Sequence, residues 1–346
     1  MRTRGLVASS LTVALVGSAV LSLWSPAQAQ SPRSVSIGTN PPGTVFYALA
    51  SAIAKVVSGA TPYQTTVQPY TGTSTFLPLV NNGELDFAVV NAVDMGLAYA
   101  GPKLKAFGKN LFPHAPEVRL VMRGAPLLTG LLVRKDSPFK TIQDLKGKRV
   151  TGEYPAHLAV WLNMSSFLAS AGMTWNDVKI VAVPAVNEGV DALVQGRADA
   201  SMHALNSAKI READAAVGVR HISFDCSREG EERFRKAVPG YFVRRMKAGS
   251  AVAIVEETCV NEYDIYLLSH KNATEQVVTS FLKAVWDNID KLPPFHPVFK
   301  EWTRERAVDP EVTIPYHPVA IQFYKERGLW TAQMDEAQKK LLAVNP

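Results

Sequence analysis

Short β-branched segments alternate with helical segments along most of the chain, and this alternation restricts the possible folds more than any other feature. Residues 34–38 alternate as a strand does, and a turn rich in Pro and Gly follows at residues 39–44. From Val45 the apolar residues recur at helical spacing. Strands that alternate with helices in this way predict an α/β fold.

A second strand–helix unit repeats the plan of the first. Residues 72–75 open a helix, Asn82-Gly83 ends it, and residues 87–90 predict a buried strand. The helix end, Gly turn, Asp and strand of residues 79–88 reappear at residues 193–200. Two lobes built on one plan explain this repetition.

Two predicted strands connect the lobes, one leaving the first lobe at residues 131–138 and one returning at residues 263–268. We therefore assign residues 30–128 and 259–346 to the first lobe and residues 129–258 to the second. The predicted architecture is a two-lobed α/β protein with a ligand cleft between the lobes, which close about a hinge.

The first 29 residues have the order of a secretory signal peptide. Arg2 and Arg4 precede an apolar run from Leu6 to Leu23, and Ala27 and Ala29 fit the small-residue rule for cleavage. We predict cleavage after Ala29. The alternative is an uncleaved anchor, because the run is nearly long enough to span a bilayer. Since neither cysteine lies near this position, a lipid-anchored lipoprotein is excluded.

Later segments are not apolar enough to predict a membrane span, so a soluble mature protein is expected outside the cytoplasm. The net charge is +6, and two of these charges belong to Arg2 and Arg4. The remaining basic residues are scattered, which argues against nucleic-acid binding. A mild positive balance suits an anionic ligand.

The chain has two cysteines, Cys226 and Cys259. In an oxidising compartment they can form one disulfide, and the alternative is a pair of buried thiols. Pairing requires Cα atoms within about 7 Å of each other.

Two turns of the first lobe have the chemistry of an anion site. Residues 43–44 and 72–74 place small residues and hydroxyls at helix N-termini, which carry unpaired N–H groups and partial positive charge. Both turns follow strands, where open α/β sheets bind ligands. Capping of the helix is the alternative for each Thr. The candidates in these turns are Gly43, Thr44, Thr73 and Ser74. Phe46, in the helix that follows the first turn, could form a wall of the ligand site, and a core side chain is the alternative.

Other candidates lie just past predicted strands. Asn91 could hydrogen-bond an amide or carboxyl group, and Asp94 could bind an amine or cap a helix. Each remaining candidate has a structural alternative, namely a satisfied core side chain or, for the arginine, a surface salt bridge. These candidates are Arg123, Tyr154, His157, His203, Asn206 and Tyr241.

Several segments resemble the TAXI branch of the TRAP-transporter solute receptors. The resemblance rests on residues 37–47, on the helix start at residues 72–75 and on residues 83–88 with Asn91 and Asp94. Residues 144–150 are similar to many type II periplasmic binding proteins. The resemblance implies delivery of a small organic anion or amino acid to TRAP permease subunits by a periplasmic monomer that needs no cofactor.

The chain departs from the family pattern at residues 152–157. The family usually has a turn resembling Gly-Ser-Gly-Thr there, whereas this chain has Gly152, Glu153, Tyr154, Pro155, Ala156 and His157. The departure replaces free backbone donors with a bulkier, more polar wall. It predicts a ligand different from the glutamate-like acid usual in the family.

Catalytic and metal-binding motifs are missing from the sequence. The seven histidines are not spaced as metal ligands, and no nucleophile elbow, Walker loop or dinucleotide fingerprint occurs. We therefore expect a binding protein that is not an enzyme. The alternatives are a receptor for another uptake or sensing system with this fold, and a transferase of the same two-lobed plan.

Overall fold

The computed structural model describes residues 33–345, and the predicted signal peptide at residues 1–29 lies outside them. The described part of the chain packs as one unit. Within residues 33–345, no helix combines the length and the apolar character needed to cross a bilayer.

The first lobe begins with three strand–helix pairs, as the alternation predicts. These elements are β1 (Ser34–Thr39), α1 (Val45–Ala60), β2 (Gln64–Pro69), α2 (Thr73–Asn81), β3 (Phe87–Asn91) and α3 (Ala92–Ala100). The α1 helix begins after Thr44, whose hydroxyl accepts the backbone N–H of Tyr47 at 3.3 Å. Asn82 ends α2, as predicted.

Two long strands connect the lobes. They are β4 (Val118–Arg134) and β10 (Thr258–His270), which pair antiparallel along most of their length. The pairing register shifts between Asp264 and Tyr266. Such a bulge bends a strand and increases its twist. The first part of β10 pairs with β9 (Phe242–Met246), and its last part pairs with β3 of the first lobe.

The second lobe lies between these long strands in the sequence. Its elements are β5 (Arg149–Glu153), α4 (Leu158–Ser170), β6 (Lys179–Val183), α5 (Val186–Val194), β7 (Ala200–Ala204), α6 (Ala208–Val217), β8 (Val219–Ile222), α7 (Arg228–Ala237) and β9 (Phe242–Met246). Three helices follow β10 and pack on the first lobe. They are α8 (Glu275–Asp287), α9 (Pro318–Lys325) and α10 (Ala332–Leu342).

One mixed sheet runs through both lobes in the order β2-β1-β3-β10-β4-β7-β5-β6, with β8 paired to β4 and β9 to β10. Parallel strands lie at both ends of this order, and the antiparallel pair β4 and β10 lies in the middle. Parallel strands need crossover helices, which cover the sheet faces. The predicted α/β class is therefore confirmed.

Cys226 and Cys259 are joined by a disulfide in the structure, with their Cα atoms 6.2 Å apart. The bond links Cys226, in the segment just before α7, to Cys259, near the start of β10. The sequence left this pairing open, because the distance between the two residues depends on the tertiary fold.

Candidate functional site

A small cavity of about 30 Å³ lies between the lobes, at the carboxyl ends of β1, β3 and β7. Eight of the described residues that line it are polar: Asn40, Thr44, Asn91, Thr129, His157, Asn163, His203 and Tyr263. The other eight are apolar: Val45, Phe46, Leu127, Ala159, Val160, Val186, Met202 and Ala204. The lining therefore has one polar set and one apolar set, as ligand sites usually do.

The N-terminus of α1 forms part of the first-lobe wall. Thr44 caps this helix, and its own hydroxyl donates to the carbonyl of Pro41 at 2.6 Å. Asn40 lies in the turn before it with 3% of its surface exposed, and its Oδ1 has no hydrogen-bond partner among the described residues. The turn thus offers a helix N-terminus and a free amide oxygen to the same cavity.

The N-terminus of α3 supplies a second part of this wall. Asn91 caps the helix by accepting the backbone N–H of Asp94 at 2.6 Å. Asp94 itself is fully buried behind the lining, and neither of its oxygens has a well-aligned hydrogen bond among the described residues. Burial raises the pKa of this carboxyl to about 7, although the nearby side chains of Asn91 and Thr73 partly oppose the shift.

The second lobe contributes two buried histidines. Burial and the neighbouring His203 lower the pKa of His157 to about 3, and burial lowers that of His203 to about 4. His157 precedes α4, and its Nδ1 has no hydrogen-bond partner among residues 33–345. His203 Nε2 lies 3.2 Å from Asn187 Oδ1. Both imidazoles are therefore neutral near pH 7.

Asn163 lines the cavity and holds several buried neighbours in place through hydrogen bonds, and it was not among the site residues predicted from the sequence. Its Oδ1 accepts Thr129 Oγ1 at 2.6 Å and Asn261 Nδ2 at 2.9 Å. Its Nδ2 donates to Ala159 O at 2.8 Å and to Tyr241 Oη at 2.9 Å. A buried amide with all these bonds satisfied is held rigidly. The signal that could have found it is an asparagine within the mostly apolar α4 helix.

Aromatic rings pack against Tyr263, another residue that lines the cavity. Tyr241 stacks on the lining residue Tyr263 at 5.5 Å between centroids, and on Phe234 at 5.7 Å. Tyr241 is thus in direct contact with a lining residue but does not line the cavity itself. Stacked rings of this kind restrict the orientation of Tyr263.

The two lobes contact each other beside the cavity. Asn187 Nδ2 donates to Pro42 O at 3.0 Å, and the backbone N–H of Lys209 donates to Gly43 O at 3.2 Å. On the other side, Ser74 Oγ lies 3.5 Å from Ala156 O. The contacts join the two glycine-containing turns of the first lobe to the second lobe.

The structure brings five of the sequence candidates into the cavity lining: Thr44, Phe46, Asn91, His157 and His203. Five more lie immediately next to it, in the contacts described above: Gly43, Thr73, Ser74, Asp94 and Tyr241. The helix starts and strand ends were thus the useful signals in the sequence.

Three candidates do not reach the cavity. Arg123 pairs with Asp264 at 2.7 Å and with Asp309 at 3.1 Å, which is the salt-bridge alternative considered for it. Tyr154 is buried in the second lobe with its hydroxyl on Thr151 Oγ1.

Asn206, the third candidate outside the cavity, has a φ of 62°, and its backbone carbonyl accepts a hydrogen bond from Arg211 at 2.7 Å.

Among residues 33–345, no group of three or more His, Cys, Asp and Glu side chains is arranged to hold a metal ion.

Comparison with known proteins identifies the family. Residues 37–328 match the NMT1-like family, so the chain belongs to it. A solved structure described as a periplasmic transporter has a TM-score of 0.55 and 15% identity, over 90% of this chain and 97% of that one. The periplasmic binding protein BugD has a TM-score of 0.54 and 10% identity, over 90% and 97%.

A protein from Bordetella bronchiseptica has a TM-score of 0.50 and 17% identity, over 89% of this chain and 97% of its own. At these identities the likeness establishes the fold. The fold is the two-lobed α/β architecture of type II periplasmic binding proteins, with a cleft between the lobes.

Proposed function

We propose that this protein is a periplasmic solute-binding receptor that holds a small organic anion or amino acid between its lobes and delivers it to a membrane transporter. One observation carries the proposal: the N-termini of α1, α3, α4 and α5 meet at one cavity between the lobes. Helix N-termini present unpaired N–H groups and partial positive charge to a ligand.

Binding would proceed by closure of the lobes about the two long strands. We propose residues 30–128 and 259–346 as one moving body and residues 129–258 as the other. The bulge in β10 near Asp264 supports this choice of hinge. The bonds from Asn187 to Pro42 and from Lys209 to Gly43 would then form on closure and hold the closed form.

Binding is better supported than catalysis. The lining hydroxyls of Thr44 and Thr129 donate to Pro41 O and Asn163 Oδ1, so neither is hydrogen-bonded to a histidine. The described lining residues include no Ser, Cys, Lys, Asp or Glu. An activated nucleophile needs an adjacent base, and this lining does not provide that pair.

For the transporter, we propose TRAP permease subunits of the TAXI type, on the basis of the segments at residues 37–47, 72–75 and 83–94. The residues before Ala29 would direct export, after which the receptor would work as a monomer. A receptor for an ATP-driven uptake system or a sensor with the same fold is the competing assignment. Solute uptake by cells that depends on this protein and stops when the ion gradient is dissipated, with ATP maintained, would favour the TRAP assignment.

Ligand binding can be tested by thermal unfolding. The protein, expressed from the full-length chain, is unfolded and refolded to remove bound solute and then screened with carboxylates, sulfonates and amino acids. A ligand that binds only the native state raises the melting temperature as its concentration increases. If no small anion or amino acid shifts the melting temperature, and mass spectrometry of the freshly purified protein finds no bound solute, the receptor proposal fails.

A further inference from the structure

The cavity lining carries no full charge near pH 7. The described side chains that line it include no Asp, Glu, Lys or Arg. The two ionisable ones, His157 and His203, are kept neutral by burial, which lowers the pKa of each far below 7. Any charge that a ligand brings must therefore be stabilised by helix N-termini and by neutral hydrogen-bonding groups.

This arrangement can stabilise one anionic group. The N-termini of α1, α3 and α4 reach the lining at Thr44, Asn91 and His157, and α5 begins at the lining residue Val186. Their partial positive charges favour an oxyanion. A buried ammonium would meet the same positive ends without a counter-charge in the lining, which is unfavourable.

Two polar atoms in the lining point to a ligand independently of the helices. Asn40 Oδ1 and His157 Nδ1 have no hydrogen-bond partner among the described residues, and the two residues are 3% and 4% exposed. Buried polar atoms are normally paired. Asn40 Oδ1 is an amide oxygen and can only accept hydrogen bonds. Since an ammonium group is unfavourable here, the ligand group that bonds it must be an uncharged donor.

The rest of the lining limits the size and shape of the ligand. Phe46, Leu127, Val160 and Met202 are among its apolar members. A cavity of about 30 Å³ is smaller than a four-carbon acid, so a bound ligand must hold the lobes farther apart than they are here, and a short ligand needs the least separation. A second carboxylate would be buried against apolar side chains without a cation, which is again unfavourable.

We propose that the ligand is a short monocarboxylate with an apolar body and a hydroxyl group, and that the site discriminates against dicarboxylates and amino acids of the same length. The carboxylate lies at the helix N-termini, and the hydroxyl donates to Asn40 Oδ1. This inference rests on the proposed receptor function and narrows its ligand class.

Asp94 is the one buried carboxyl that could oppose this assignment, because an ionised Asp94 would attract an ammonium. It is fully buried, does not line the cavity and lies beside Asn91 and Thr73. A carboxyl in that position affects the ligand only through other residues. An amino acid preference that disappears in Asp94→Asn would show that it does so and would overturn the proposal.

The test uses acids with four carbons, which differ in one group each. These are 2-hydroxybutyrate, 3-hydroxybutyrate, butyrate, 2-aminobutyrate and malate, measured by calorimetry with the ligand-free protein. We expect one hydroxybutyrate to bind about tenfold more tightly than butyrate, because it adds one hydrogen bond. We expect it to bind at least about 100-fold more tightly than 2-aminobutyrate or malate, because each of these buries an unpaired charge.

The variant Asn40→Ala identifies the residue responsible. It should reduce the tenfold preference for hydroxybutyrate over butyrate to about one and leave the melting temperature unchanged, since Asn40 Oδ1 makes no bond to lose. The exposed Asn272→Ala serves as the control and should keep the preference.

Two kinds of failure can be told apart. Tighter binding of 2-aminobutyrate or malate, or no binding by any of the five acids, overturns the inference about the ligand class. If another small solute then binds, the receptor function survives. If a broad screen and mass spectrometry also find no solute, the receptor function fails as well.

Discussion

The turns that face the cleft are built differently in the two lobes. In the first lobe, a Cβ atom added to Gly72 would lie 2.2 Å from Ala156 O of the second lobe. Gly72 itself has an extended backbone with φ of −168°, so any residue could adopt its conformation. In the second-lobe turn that follows β5, two residues with side chains are left-handed: Glu153 and Tyr154, with φ of 68° and 48°.

The two turns therefore differ in the physical reason why a particular residue is found in each. Gly72 is required by the approach of the other lobe, whereas Tyr154 is held by its own lobe through burial and its bond to Thr151. The first-lobe turn therefore leaves room for the backbone of the second lobe, whereas the second-lobe turn is held by contacts within its own lobe. The following predictions test that contrast.

Gly72→Ala should have the largest effect. The added methyl group meets a backbone oxygen, which cannot rotate away, so the lobes cannot approach fully. Steric conflicts of this kind cost about 3 kcal/mol, which corresponds to a roughly 100-fold higher Kd measured by calorimetry. The melting temperature without ligand should hardly change, because the open form has no clash.

Gly59→Ala is the matched control, since nothing lies within 4 Å of a Cβ at that position in α1. It should leave the Kd unchanged and stabilise the helix slightly. Equal affinity of Gly72→Ala and the unmodified protein would contradict the role of Gly72 in closure.

Asp94→Asn tests the buried acid of the first lobe. The folded-state pKa of about 7 exceeds the ordinary value of 3.8, so folding favours the protonated acid. The stability from this group is present below pH 3.8 and is lost as the pH rises through 7. Asn imitates the protonated form. We expect it to raise the melting temperature by about 5 °C at pH 8 and to have almost no effect at pH 4.

The second lobe should show the opposite pH dependence. Burial lowers the pKa values of His157 and His203 to about 3 and 4, so their stabilising effect is present above pH 6.5 and is lost as the pH falls toward 4.

A melting-temperature difference between Asp94→Asn and the unmodified protein that is constant with pH would rule out titration of Asp94 as its cause.

Asn187→Ala should weaken binding about fivefold. The variant removes the bond to Pro42 of the first lobe, and one hydrogen bond contributes about 1 kcal/mol. Since this bond is proposed to form on closure, stopped-flow measurements should place most of the change in the dissociation rate. An unchanged dissociation rate would show that Asn187 does not stabilise the closed form.

Tyr154→Phe should have the smallest effect on binding. It removes the hydroxyl that bonds Thr151, while Thr151 keeps its bond to Ala200 O at 3.3 Å. The expected loss is about 1 kcal/mol of unfolding free energy, or about 3 °C in melting temperature, without a change in Kd. A weaker Kd with an unchanged melting temperature would instead make Tyr154 a ligand contact.

Much of the fold could be read from the sequence because its signals are local. The strand at residues 34–38, the helix from Val45 and the helix end at Asn82 depend on side-chain periodicity and turn chemistry within a few residues. The site was predicted less completely. Thr44 and Asn91 were found because helix caps have a sequence signature, whereas Asn163 was missed because its partners Thr129 and Asn261 are far away in the chain.

The sequence by itself determined the α/β class, the repeated strand–helix plan and the helix N-termini that can attract an anion. Only the tertiary structure decided that Arg123 is used in ion pairs with Asp264 and Asp309, that Cys226 reaches Cys259, and that Gly72 must lack a side chain. The reason is physical: periodicity and capping act over a few residues, but a salt bridge, a disulfide and the contact between two lobes each depend on distances that exist only after the chain has folded.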